Sequence, residues 1–224
     1  MKYLFIKLVR KAFPLAFLDP EGDKGIAKIG HREYIGGHWE EIGQLQFDFL
    51  LSRGLRPDSY LLDIACGSLR LGVRAVPYLE EGHYLGIEKE RGLVEAGIAE
   101  ELGPELAAAK KPRIEISDAF EFEKLGQQAD FAMAQSLFSH LPPSLIEKCF
   151  TNLHPWLRDD GVFYATYFEV PEPRRNPEKP HDHGYFAYTA QEMCAFGENC
   201  GFRANYIGDW KHPRGQVIVE YRKG

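Results

Sequence analysis

Tyr60-Leu61-Leu62-Asp63-Ile64-Ala65-Cys66-Gly67-Ser68-Leu69-Arg70-Leu71-Gly72 is the stretch whose reading decides the fold. Apolar or aromatic residues at 60, 61, 62 and 64 around a single carboxylate read as a short strand buried on both faces. Ala65, Cys66, Gly67 and Ser68 then make a tight turn of small residues that feeds a helix. Such a strand, turn and helix unit lets a ligand come very close to the backbone at Gly67, with helix amides just behind it. A polar, nucleoside-like molecule is the ligand this arrangement suits.

Spacing separates three nucleotide motifs. Gly67 and Gly72 fit the two glycines of a P-loop, but Val73 and Arg74 stand where Lys and Ser/Thr should touch phosphate and magnesium. A dinucleotide fingerprint would need Ala65, Gly67 and Arg70 as its three glycines, and Arg70 does not permit close packing of helix on strand. The third pattern asks for an acidic residue two places before the turn, a small residue and an open backbone. Asp63, Ala65 and Gly67 supply these.

At these residues the chain resembles the class I S-adenosylmethionine-dependent methyltransferases, whose first motif is an acidic residue followed by a glycine-rich turn. The resemblance continues through Gly86-Ile87-Glu88, Ser117-Asp118-Ala119, the 135–141 segment Gln-Ser-Leu-Phe-Ser-His-Leu and Asp160-Gly161, from about Trp39 to the C-terminus. Ala65 and Leu69 replace the family's usual first and third glycines, and Gly-Ser-Leu-Arg at 67–70 looks like a bacterial variant of the motif. The fold this implies is α/β and Rossmann-like, a seven-stranded, mostly parallel sheet with an antiparallel C-terminal hairpin and added N-terminal helices. Residues 39–224 would form the methyltransferase domain, and residues 1–38 an amphipathic helix with a linker or lid.

The 224 residues suffice for one α/β domain with elaborations. With 27 Lys+Arg against 33 Asp+Glu the net charge is −6, and no long basic run could track a phosphate backbone, which argues against nucleic acid as a partner. Cys66, Cys149, Cys194 and Cys200 form no C-x-x-C pair and read as reduced thiols of a cytoplasmic protein. Residues 1–18 mix apolar side chains with Lys2, Lys7, Arg10 and Lys11, too charged for a membrane span. A helix of this kind suits a membrane surface, a protein partner or packing on its own domain.

Asp19 to Gly37 is polar and glycine-rich and reads as an irregular linker. Trp39 to Ser52 is helical, with Ile42, Leu45 and Phe49 on one stripe and Gly54 as its cap. In the resembled enzymes the segment ahead of the first strand folds across the cofactor, which makes Tyr34, His38 and Trp39 lid candidates against plain packing. His83 to Glu88 is the second strand. Glu88 ends it about 20 residues beyond the glycine turn, where an acidic side chain accepts from the ribose hydroxyls.

The third strand, Arg113 to Ile116, leads to Ser117, Asp118 and Ala119. By resemblance Asp118 bonds the exocyclic amine of adenine and Ala119 offers its backbone amide, while a helix-capping role for Ser117 or Asp118 competes. Ala129 to Ala134 is the fourth strand, and Gln135, Ser136, Phe138 and His140 leave its carboxyl end where the methyl group should lie. The cofactor set that the resemblance implies is Asp63, Ala65, Cys66, Gly67, Glu88, Lys89, Ser117, Asp118, Ala119, Gln135 and Ser136, around S-adenosyl-L-methionine and its product S-adenosyl-L-homocysteine (SAH).

Ser144 with Glu147 reads as a capping box opening a helix, and Asp159-Asp160-Gly161 as a turn before a fifth strand, Val162 to Phe168. The proline-rich stretch from Glu169 to Tyr188 reads as a loop over the site edge. Arg174, Arg175 and Tyr185 are its substrate candidates, and His181 and His183 join His140 as candidate bases. Two histidines without further ligands make a poor metal site. A capped helix from Thr189 and strands at Phe202 to Trp210 and Gln216 to Tyr221 complete the chain. The expected activity is methyl transfer to an O or N atom of a small-molecule acceptor. A non-catalytic scaffold of the same fold and a nicotinamide-binding Rossmann enzyme are the alternatives.

Overall fold

The computed structural model describes residues 21–182 and 186–224; the amphipathic segment 1–18, His183 and Tyr185 lie outside the described residues. The strands are β1 (Leu61–Ile64), β2 (Tyr84–Glu88), β3 (Arg113–Ile116), β4 (Ala129–Ala134), β5 (Leu157–Glu169), β6 (Ala187–Tyr188), β7 (Phe202–Asp209) and β8 (Val217–Lys223). Seven of them form one sheet in the order β3-β2-β1-β4-β5-β8-β7, and β6 pairs with the far end of β5. β1 to β5 run parallel, and β8 lies antiparallel to both β5 and β7.

β1 is buried at all four positions because helices cover both faces of the sheet. Alternation sends Leu62 and Ile64 into one core with Phe138, Phe150 and Phe163, and Leu61 into the other with Leu69, Tyr84 and Met133. β2 and β4 flank β1, so the chain leaves β1 in both directions and opens a crevice at the carboxyl ends of the strands.

The helices depart from expectation at the N-terminal side. Of the stretch expected as an irregular linker, the described part from Glu21 to Gly37 is largely helical and holds α1 (Gly22–Ile29) and α2 (His31–Tyr34). Gly25 is the buried position of α1, and α1 crosses the Arg91–Ala96 helix closely, since a Cβ on Gly92 would stand 2.8 Å from Asp23 Oδ1. α3 (Trp39–Ser52) forms as expected, but it buries Trp39, Ile42, Gly43, Gln46 and Leu50, a face rotated from the expected stripe. Gly43 and Gln46 diluted the apolar signal on that face. A Cβ at Gly43 would meet the backbone oxygen of Arg70 at 2.8 Å, so a close crossing, not side-chain bulk, sets the rotation.

α4 (Gly72–Tyr78) follows the first motif, and α5 (Arg91–Ala96) runs into a π-turn, Gly97–Leu102. α6 (Pro104–Lys110) was not anticipated. α7 (Pro143–Leu153) starts without the expected capping box, because Pro142 is its N-cap and Pro143 fixes the first turn. α8 (Ala190–Glu198) has its box: Glu192 N donates to Thr189 Oγ1 at 3.1 Å and Thr189 N to Glu192 Oε2 at 2.8 Å. Asp159-Asp160-Gly161 lies within β5, at an irregularity where its register on β4 slips, and not in a separate turn. Among the described residues no helix is long and apolar enough to cross a membrane.

Candidate active site

The crevice holds a cavity of about 830 Å³, ordinary for a small-molecule site. Its floor is the turn after β1. Ala65, Gly67 and Leu69 all take left-handed backbone, with φ of 60°, 56° and 67°. Two of the three are therefore side chains in a conformation that glycine adopts freely and that costs an L-residue about 1–2 kcal/mol. At Gly67 the missing side chain matters for space as well, since a Cβ would stand 3.1 Å from Ile35 Cγ2. Ile35 thus packs directly over the turn.

Two carboxylates share this floor. Glu88, 6% exposed, is pinned by three backbone amides: Gly67 N donates to its Oε2 at 2.9 Å, and Lys89 N and Glu90 N to its Oε1 at 2.9 and 3.0 Å. Oε2, with a single amide, keeps room for a further donor. Burial raises the Glu88 carboxyl above its ordinary value, against those amides. Asp63 accepts from the Tyr84 hydroxyl at 2.7 Å, and burial pushes its carboxyl up to about 7 despite that bond and the charge of Arg70.

Arg70, which the sequence reading left without a role, is buried at the same level. It donates to Gly37 O at 2.9 Å and to Gln135 Oε1, and burial lowers its guanidinium to about 10. Gln135 is thereby oriented with its N–H groups toward His212 Nε2, 3.1 Å away, and Gln216 Oε1. The Arg214 amide stands 3.2 Å from His212 Nδ1; a neutral imidazole accepts at one ring nitrogen, so only one of these two contacts is a hydrogen bond donated to the ring. Burial, with the charges of Arg70 and Arg214, holds His212 down at about 4, so it is neutral. Ser136 sits at φ 66°, fixed by its amide on Thr166 Oγ1 at 2.7 Å and by Gln216 Nε2 on its hydroxyl at 2.5 Å.

His140 lines the cleft with Leu141, Leu145 and Phe168. Its Nδ1 stands 3.0 Å from His181 O; a carbonyl only accepts, so Nδ1 is the donor of this pair. Across the mouth, Asp182 accepts from the Tyr34 hydroxyl and pairs with Lys89 Nζ at 2.8 Å. Tyr34 in turn accepts from Gly22 N at 2.8 Å, and His181 Nε2 meets Glu21 Oε1 at 3.2 Å. Burial works against the Asp182 charge, but the bonds from Lys89 and Tyr34 outweigh it and hold the carboxyl below its ordinary value.

The structure thus gathers Asp63, Ala65, Cys66, Gly67, Glu88, Lys89, Asp118, Gln135, Ser136, Tyr34, His140 and His181 around one cavity. Others stand elsewhere. Phe138 is fully buried in the core, and Trp39 is packed under Arg32 and edge-on to His31. His38 bonds Glu41 at 2.9 Å, and Arg174 and Arg175 are exposed on the outer loop. The Ala119 amide does not face the cleft: it donates to Ser117 Oγ at 3.1 Å, which itself donates to Glu121. Ser117 therefore closes a local turn and caps no helix. Cleft residues the sequence reading missed include Gln46, Arg70, Phe120 and Arg214. Gln46 was detectable as a polar residue in step with Ile42 and Leu50. Among the described residues no three His, Cys, Asp or Glu side chains gather as a metal site would.

No protein-family model matches the chain. Solved structures do share its architecture. Magnesium protoporphyrin IX methyltransferase (ChlM) from Synechocystis PCC 6803, with bound SAH, is similar over 97% of this chain and 99% of its own, at 14% identity and a TM-score of 0.63. An S-adenosylmethionine-dependent methyltransferase from Clostridium acetobutylicum ATCC 824 is similar over 100% of both chains, at 12% identity and 0.59. The mitomycin 7-O-methyltransferase MmcR matches 81% of this chain and 54% of its own, at 16% identity and 0.60. The chain has the Rossmann-like fold of the S-adenosylmethionine-dependent methyltransferases.

Proposed function

We propose that the protein is an S-adenosylmethionine-dependent methyltransferase acting on an oxygen or nitrogen atom of a small-molecule acceptor. The observation that carries this reading is the convergence of Asp63 and Glu88, from the ends of neighbouring strands, on one cavity floored by the left-handed turn at Gly67. The residues fit the cofactor. Glu88 Oε2 has capacity for a ribose hydroxyl, and Asp63 offers a carboxyl group whose ionised form a cationic tail would favour. Asp118, with Phe120 and Leu93, lines the part of the cleft assigned to adenine.

When bound, the cofactor supplies an electrophilic methyl group on a sulfonium. The chain's task is then to align an acceptor lone pair with it and to exclude water. Ser136, locked by Thr166 and Gln216, shapes the wall beside the reacting atoms. For an oxygen acceptor, His140 Nε2 takes the proton as general base. The similar structures named for porphyrin and mitomycin methyl transfer support a small-molecule acceptor. The four cysteines stand free, which supports the cytoplasm as the protein's place. The scaffold alternative rested on Ala65 and Leu69, and both adopt the backbone that a glycine would.

The test is calorimetric titration with S-adenosylmethionine and SAH, followed by an assay for SAH released in the presence of candidate acceptors. Binding of both nucleosides that is lost in Glu88→Ala is expected. Binding of neither by the wild type would end the proposal.

A further inference from the structure

α3 carries one polar side chain to the cleft that none of the roles above uses. Gln46 is 3% exposed and lines the cavity, yet its Oε1 has no hydrogen-bond partner. Its amide N–H reaches only the Met133 sulfur, 3.9 Å away. A thioether accepts and never donates, so the N–H end faces it and the oxygen is left over. The β1–β4 register pairs Met133 with Asp63, and partners in a parallel pair project from the same face of the sheet. Gln46 and Asp63 therefore stand over the same patch of β-sheet, one bearing an orphaned carbonyl oxygen, the other a buried carboxylate.

Two buried acceptors side by side call for a donor with several N–H bonds and a positive charge. A water would satisfy the Gln46 oxygen alone; the Asp63 carboxylate lies near the charge of Arg70 but takes its hydrogen bond from the Tyr84 hydroxyl, because the Arg70 donors go to Gly37 and Gln135. A primary ammonium answers both needs. We propose that Gln46 Oε1 and the Asp63 carboxylate together hold the α-ammonium group of the nucleoside's amino-acid tail, making Gln46 the residue that selects tailed over tail-less adenosyl thioethers. The inference rests on the cofactor reading above and adds to it a ligand-binding residue from outside the strand-end motifs.

The test compares SAH, which carries the tail, with 5′-methylthioadenosine, which lacks it, by titration calorimetry on the full chain. Gln46→Leu is expected to weaken SAH about tenfold or more, as for loss of a hydrogen bond to a charged group, and to leave 5′-methylthioadenosine unchanged. Gln46→Glu, which keeps an oxygen at the same reach, is expected to retain most of the SAH affinity. Equal losses for both ligands in Gln46→Leu, or an SAH loss in Gln46→Glu as large as in Gln46→Leu, would assign Gln46 to packing and overturn the inference. SAH binding unaffected by Gln46→Leu would overturn it while leaving the cofactor reading in place. A wild type that binds 5′-methylthioadenosine as tightly as SAH would also overturn it, and one that binds neither would remove both readings.

Discussion

Replacing Asp63 by Asn separates what this carboxylate does for folding from what it does for binding. Burial raises the carboxyl from 3.8 to about 7 in the folded chain. A group with a raised folded pKa contributes its full stability below the unfolded value and loses it as pH climbs through the folded one. Between pH 5 and pH 8 the wild type should therefore lose about 2–3 kcal/mol that Asp63→Asn does not lose. The amide can still accept from the Tyr84 hydroxyl, so the neighbouring bond survives. Leaving Arg70 without its adjacent anion has a cost of its own. That cost is constant over this range, because the guanidinium titrates only at about 10.

Urea unfolding of both proteins at half-unit steps from pH 5 to pH 8 measures the difference, with equal m-values as the check that one transition is compared. The stability of the variant relative to wild type should rise steadily with pH and level off above about 7. Under the proposed function the same variant should bind SAH at least about tenfold more weakly at pH 8, from the lost charge-assisted bond. A stability difference that stays flat from pH 5 to pH 8 would refute the argument, since it would mean that Asp63 titrates alike in both states.

Gly97→Ala would place a Cβ 2.5 Å from the Ser68 carbonyl oxygen, a backbone atom that cannot turn aside; a loss of about 1–3 kcal/mol in urea unfolding is expected. Ala65→Gly relieves a left-handed alanine at φ 60°, so stability should hold or rise by up to about 1 kcal/mol, and SAH affinity should not fall. Tyr34→Phe removes the hydroxyl that joins Gly22 N to Asp182; stopped-flow displacement should show faster SAH release, with the association rate little changed.

The centre of the sheet was legible because β1, β2 and β4 are short, mostly apolar and ended by a carboxylate or small residues. Asp63 and Glu88 announce themselves by position, and Thr189 with Glu192 by the spacing of a capping box that the structure contains. α1 and α2 were not legible, since Gly22, Gly25 and Gly30 signal a loop in the sequence, whereas Gly25 is the buried position of α1 and Gly30, at φ 84°, only turns the chain between the two helices. Ser144 and Glu147 show the reverse failure, a capping pattern displaced by two prolines that already fix the first turn. The cleft's cationic side was hidden for another reason. Arg70 sat inside a motif read for its glycine, and Arg214 and His212 come from the far end of the chain, brought beside Gln135 only by the insertion of β8 next to β5.

Tyr34 and Asp182 are separated by 148 positions, yet they meet across the cavity mouth, reinforced by Lys89 and by His181 on Glu21. Under the proposed function, a nucleoside held in the cavity lies beside that bridge. Its entry and departure then follow the tempo at which two remote stretches of chain let go of each other, and a partner that gripped either stretch would set the pace of turnover without ever touching the reacting atoms.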